Sequence, residues 1–124
     1  MQGLLDLTAP ASAARQQIGP DAWLLKGFAL NDADALLAAI EQIAAQAPFR
    51  HQVTPGGYQM SAAMSSCGAY GWVTDRHGYR YSALDPQSNQ PWPAMPSLFG
   101  ELAERAARSA GFAHFEPEAC LSTA

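Results

Sequence analysis

Residues Thr54–Trp72 read TPGGYQMSAAMSSCGAYGW, with four glycines and no formally charged side chain. Its larger apolar side chains fall on a beat of two, Tyr58, Met60, Ala62 and Met64, with Gln59 and Ser61 between them. Period two places one set on each face of a strand, so the stretch reads as β-structure. A strand made only to fill a core favours Val and Ile, which are stiff at χ1 and pack well on a pleated surface. Tyr, Met and Trp offer polarizable, adaptable contact surface, which suits a ligand as well as a core.

Following the chain on from this ribbon, Pro55-Gly56 fits the central positions of a type II turn, where glycine supplies the positive φ. Ser66-Cys67-Gly68 and Asp75-Arg76-His77-Gly78 supply two more turns, which predicts a three-stranded meander over 54–82. Tyr70 with Trp72, and Tyr79 with Tyr81, repeat the beat of two. Upstream, Met1–Pro20 reads as a loose lead-in and Ala22–Leu30 as a short apolar strand. Asn31 is placed to cap a helix, with Asp34 three residues on. Leu36, Ile40, Ile43, Ala44 and Ala47 then share a helical face that Pro48 ends. Downstream, four prolines between Ser82 and Pro96 predict an extended, ordered loop. Ser97 starts a second helix, Leu98–Ala110, with Leu98, Leu102, Ala106 and Ala110 on one face and Gly111 at its end. A last strand begins at Ala119, Cys120 and Leu121.

A chain of 124 residues, 48% hydrophobic and 15% charged, is read as one globular domain. It shows no apolar run of membrane-spanning length and no basic-then-apolar start, which points to the cytoplasm and away from membranes. Cys67 and Cys120 lie too far apart for a CxxC pattern and read as reduced thiols rather than a disulfide. The net charge of −4 argues against a general polyanion binder. Between Arg50 and Tyr81, however, Arg50, Arg76 and Arg80 outnumber Asp75, a local balance of +2 that leaves −6 on the rest. Trp72, Tyr79 and Tyr81 with Arg76 and Arg80 between them fit a stacking platform edged by phosphate-binding cations. The competing reading is a set of rings that merely cover the sheet.

Catalytic patterns are sparse. His51, His77 and His114 stand near turn-forming residues, outside any His-x-Asp, HExxH or paired-cysteine context. Asp75-Arg76-His77 reads as a polar hairpin tip, and Glu116 and Glu118 as a solvated turn around Pro117. From these residues alone no catalytic or metal-holding constellation follows.

The strings VTPGGYQMSAAM (53–64), CGAYGW (67–72), RHGYRYS (76–82), DPQSNQPWPAMP (85–96) and EPEACL (116–121) together resemble the bacterial AlkB family. These are iron(II)- and 2-oxoglutarate-dependent dioxygenases that oxidatively remove alkyl groups from nucleic-acid bases. The resemblance runs from about Leu24 to Leu121. It implies an α+β fold: the N-terminal part of a double-stranded β-helix (jelly-roll) dioxygenase, with a nucleotide-recognition lid, two covering helices and the first core strands. Within one partial domain it divides the chain into the lead-in 1–20, a strand and helix at 22–50, the lid at 54–82, and loop, helix and core strand at 83–121. It further implies that Trp72 stacks on the alkylated base. By the same resemblance Tyr79, Arg80 and Tyr81 line the substrate site, and Thr54, Tyr58, Met60 and Met64 line the rest of the lid. A soft, uncharged lid suits bases of different shapes, and a flipped base would sit between such surfaces.

The family continues after the CL of this strand with Asn-Arg-Tyr, then the His-x-Asp and distant His that hold iron. Here Ser122-Thr123-Ala124 follow. The three iron ligands and the arginine that grips the co-substrate carboxylate therefore have no counterparts in this sequence. Iron(II) and 2-oxoglutarate are expected in the full-length family and not on this chain alone, which is expected to be a catalytically inactive recognition fragment. The expected partners are alkylated DNA, single- or double-stranded, with RNA a further candidate. Two other readings stand beside it: a stand-alone binder of single-stranded nucleic acid, and half of a split enzyme completed by a separate C-terminal chain.

Overall fold

The structure is a computed structural model that describes residues 14–124. The described residues hold nine strands and two α-helices in the order β1 (Arg15–Gly19), β2 (Ala22–Leu25), α1 (Ala33–Gln46), β3 (Arg50–Val53), β4 (Gln59–Gly68), β5 (Gly71–Asp75), β6 (Gly78–Ser82), β7 (Leu84–Asp85), β8 (Gln90–Pro91), α2 (Ser97–Ser109) and β9 (Ala119–Thr123). All strand pairs are antiparallel. The central sheet has the order β3-β4-β9, while β1-β2, β5-β6 and β7-β8 form separate two-stranded ladders. Among the described residues no helix is long and apolar enough to cross a membrane.

The long strand β4 organises the molecule and corrects the expected meander. Ser66, Cys67 and Gly68 are strand residues, not a turn, because each pairs with β9 (Ser66 with Leu121, Cys67 with Cys120, Gly68 with Ala119). A partner about fifty positions away thus overrides local turn chemistry. β5 does not continue the sheet; it pairs only with β6. The Pro55 turn is present, closed by the Gly57 N–H on the Thr54 carbonyl at 2.8 Å, but the positive φ (89°) belongs to Gly57 rather than Gly56.

Other boundaries shift for similar reasons. Arg15–Gly19, expected as lead-in, forms a strand because Ala22–Leu25 folds back on it, with Gln17 opposite Trp23. The rest of the expected lead-in, 1–13, lies outside the described residues. The strand expected over 22–30 ends at Leu25, and a 3₁₀ turn at Leu30–Asp32 leads into α1. That turn replaces the expected Asn31 cap: Asp32 N–H bonds the Ala29 carbonyl and Ala33 N–H the Leu30 carbonyl, so no side chain is needed there. Likewise Ser97 is already helical and makes no cap bond; Pro96 precedes it, and Gly111 follows the helix at φ 95°.

The helical face expected on α1 is the covered one, with Ile43 and Ala47 buried and Leu36 and Ile40 half-buried. Its C-terminal end is tied to β4, where the Ser65 hydroxyl donates to the Ala47 carbonyl. Residues 83–96 form the expected ordered loop, pinched by the short β7-β8 ladder. Trp92 from this loop joins Ala47 and Val73 in one buried cluster. Its indole N–H donates to the Ser82 carbonyl at 2.9 Å, and a Cβ at Gly71 would lie 2.2 Å from the ring. Since Gly71 pairs with Ser82 across the hairpin, Trp92 grips both strands at once, and glycine is required for that approach.

Candidate nucleic-acid interface

The β5-β6 hairpin has two chemically distinct faces. Trp72 lies opposite Tyr81 and Thr74 opposite Tyr79, which puts these four on one face, while Val73 and Arg80 share the other. Val73 is buried against Ala47 and Trp92. On this face Tyr79 and Tyr81 are open, 60% and 67% exposed, Trp72 is half-buried, and Thr74 is buried. The Trp72 and Tyr79 rings stack with centroids 5.7 Å apart and planes 23° apart, within the range that stabilises aromatic pairs.

Gln52 on β3 fixes this hairpin in place. Its side-chain amide donates to the Trp72 carbonyl at 3.3 Å and accepts from the Thr74 N–H at 2.8 Å. One glutamine side chain thereby stands in for a strand on the free edge of β5, on either side of Val73. Nothing in the sequence marks this residue, because its role depends on β3 and β5 meeting through tertiary packing.

A cavity of about 370 Å³ opens beside the rings, lined by Met64, Trp72, Tyr81, Ala119, Cys120, Leu121 and Thr123. Of the expected site residues, Met64, Trp72 and Tyr81 meet here, and Tyr79 joins through its stack on Trp72. Thr54, Tyr58 and Met60 do not line it. They sit towards the other end of β4, where Thr54 Oγ1 accepts from the Tyr58 N–H and the Tyr58 ring is 78% exposed. Exposure falls along the strand, from Tyr58 through a half-buried Met60 to a buried Met64.

The cations are placed differently from the sequence expectation. Arg80 makes a bidentate pair with Asp75 at 2.8 and 2.9 Å, which holds that carboxyl below and the guanidinium above their ordinary ranges. Arg50 pairs in the same way with Asp85, whose side chain is buried. Burial alone would raise the Asp85 pKa, but the guanidinium and the Gln87 N–H outweigh it and lower it. Among the described residues Arg76 alone of these three arginines makes no ion pair. It stands at the hairpin tip, and a Cβ on Gly57 would come within 3.8 Å of its guanidinium, so the tip adjoins the Thr54–Tyr58 turn.

Iron-holding residues do not converge: among the described residues no three His, Cys, Asp or Glu side chains meet in a metal-sized cluster. His51 is on β3 with Nδ1 3.0 Å from the Met60 carbonyl, His77 is at the hairpin tip, and His114 follows α2. This donor set does not fit a facial iron site, which needs two imidazoles and a carboxylate on one side of the metal.

Comparison with known proteins adds the chain's kinship. Residues 21–122 match the model of the 2OG-Fe(II) oxygenase superfamily. The alpha-ketoglutarate-dependent dioxygenase AlkB of Escherichia coli K12 is 51% identical over 118 residues, 95% of this chain and 55% of that protein. The Salmonella typhimurium LT2 protein of the same name is 49% identical over the same shares. An AlkB homolog from Caulobacter vibrioides is 38% identical over 76% of this chain and 46% of its own length. The chain thus spans about half the length of the curated relatives it matches.

Proposed function

The chain belongs to the 2OG-Fe(II) oxygenase superfamily, in the AlkB family of dioxygenases, and from that premise we propose that its 54–82 region recognises an alkylated base in nucleic acid. The observation that supports this reading most is the Trp72–Tyr79 stack, held on a hairpin whose other face is locked into the core. Rings fixed in this way lose little freedom when a base stacks on them, and each base held so contributes roughly 1–3 kcal/mol. The adjacent cavity, walled by Met64 and Tyr81, offers a splayed base an apolar place beside the stack. Arg76 supplies the phosphate contact, since Arg80 and Arg50 are already committed to carboxylates. The Thr54, Tyr58 and Met60 end of the ribbon then faces the flanking nucleotides.

The chemistry of the family is the oxidative removal of an alkyl group with iron(II), 2-oxoglutarate and oxygen. Among the described residues no two-His-one-carboxylate set converges, so the role we assign to them is recognition, and we expect them to bind substrate and leave 2-oxoglutarate untouched. A second reading, a binding module that acts without chemistry, is favoured by the same scattered histidines. The two share the interface and differ in what stands next to it in the working protein. DNA is the substrate we favour.

Titration of a labelled single-stranded oligonucleotide carrying one N-methylated base, against its unmethylated twin, tests recognition. Tighter binding of the methylated strand is expected, weakening with salt by a shallow slope of about one phosphate contact. Equal affinity for the two strands would remove the base-recognition reading. Iron-dependent succinate release by the chain alone would overturn the division of roles.

A further inference from the structure

We propose that Cys67 and Cys120 form a peroxide-oxidisable dithiol that closes into a disulfide between β4 and β9, in the wall of the aromatic cavity. The two are the only cysteines in the sequence, and the sheet register sets them directly opposite each other. The ladder fixes their kind of pairing. Ala124 N–H bonds the Ala63 carbonyl and Ala69 N–H the Glu118 carbonyl, and pairs two positions apart repeat. Cys67 and Cys120 are therefore a hydrogen-bonded pair, with Cα atoms about 5.5 Å apart, inside the Cα range of a disulfide; Cβ atoms of such pairs stand at the wide end of the cross-strand range, so closing the bond draws β9 slightly towards β4. Opposed residues also point to the same face of the sheet.

Their surroundings assign different roles. Cys67 is 1% exposed and cannot meet a solute directly. Cys120 is half-buried and lines the cavity with Trp72 and Tyr81, so a small oxidant reaches it from there. The neighbouring thiol holds Cys120 below its ordinary pKa, while the same neighbour and burial push Cys67 well above its own. The cavity-facing Cys120 is thus the nucleophile and the buried Cys67 thiol the resolving partner.

The steps balance with a hydroperoxide as the oxidant. The Cys120 thiolate attacks one peroxide oxygen of hydrogen peroxide, the O–O bond breaks, and hydroxide leaves to take up a proton as water. Cys67 then attacks the sulfenic sulfur: the S–S bond forms, the S–O bond breaks, and its thiol proton leaves with hydroxide as a second water. Two thiols have lost two electrons and two protons, and one peroxide has become two waters.

None of this depends on the face above being a base-binding site. The test is intact-mass and peptide mapping of the folded chain after near-stoichiometric hydrogen peroxide, with N-ethylmaleimide as the quench. The expected product is a monomer lighter by two hydrogens. Its tryptic map should join His51–Arg76 to Ser109–Ala124, and dithiothreitol should restore both thiols. Cys67→Ser should stop at a sulfenic acid on Cys120 that dimedone traps, and Cys120→Ser should leave Cys67 reduced. Both wild-type thiols still alkylated after denaturation, or disulfides formed only between chains, would overturn the proposal. So would wild type giving the same uncrosslinked dimedone adduct as Cys67→Ser.

Discussion

The two faces of the β5-β6 hairpin carry apolar side chains of unequal size and opposite fate. On one, Val73 is 3% exposed against Ala47 and Trp92, and Gly71 is bare so that the indole can approach. On the other, Trp72, Tyr79 and Tyr81 carry far more apolar surface and leave much of it open. Burying a large aromatic is worth more than burying valine, so stability alone would have turned the rings inward. A two-stranded ribbon is marginal by itself. Here the buried face and its edge bonds hold it, which leaves the rings free for contact.

Breaking the buried face should have the largest effect. Trp92→Ala removes the ring that grips Gly71 and Ser82, and should cost about 3–5 kcal/mol of folding stability, as large-to-small core changes do. Chemical denaturation measures it, and the rings' near-ultraviolet signal should weaken with it. Asp85→Asn comes next. It leaves Arg50 beside Trp92 without its carboxylate, at a cost of roughly 3 kcal/mol near neutral pH. The pH dependence has a definite sign. The Asp85 carboxyl is held below its unfolded value of about 3.9. Its contribution is therefore present above that pH and lost as pH falls through the folded value, so variant and wild type should converge in acid.

Gln52→Ala should fall between the faces. Losing its two bonds to β5 should cost about 2 kcal/mol in denaturation, at roughly 1 kcal/mol per bond. Because the hairpin edge then loosens, affinity for a methylated oligonucleotide should drop as well; an unchanged affinity would show that the rings position themselves. The smallest stability effect is expected at the cations. Arg80→Ala breaks an exposed pair and should move stability by less than about 1 kcal/mol. Arg76→Ala should leave stability alone and reduce the salt slope of binding by about one.

Reading the sequence recovered what local pattern controls. The helical face of Ile43 and Ala47, the tip at Arg76-His77 with Gly78 at φ 108°, and the ring alternation at Trp72, Tyr79 and Tyr81 all stand in the structure. Ser66-Cys67-Gly68 carried turn chemistry, yet its fate was decided by β9, more than fifty positions on, and no local signal reports such a partner. The pairing of Arg80 with Asp75 escaped for a related reason. Five positions apart in sequence, they become diagonal neighbours only after the hairpin closes. Tyr58 and Met60 share the period of Met64, but Tyr58 precedes β4 and Met60 stands near its start, four residues from Met64, so the cavity meets Met64 alone of the three.

The division between the faces is tested most directly at Trp72, by measuring stability and binding on the same protein. Trp72→Ala should weaken binding of the methylated oligonucleotide by about 5- to 150-fold, the equivalent of roughly 1–3 kcal/mol for one stacked base. Its stability should fall by no more than about 1.5 kcal/mol, the worth of the lost Tyr79 stack, because the other hairpin face and the Gln52 bonds to the backbone are untouched. A variant that binds as tightly as wild type but unfolds several kcal/mol sooner would contradict this account, and would make Trp72 a core residue.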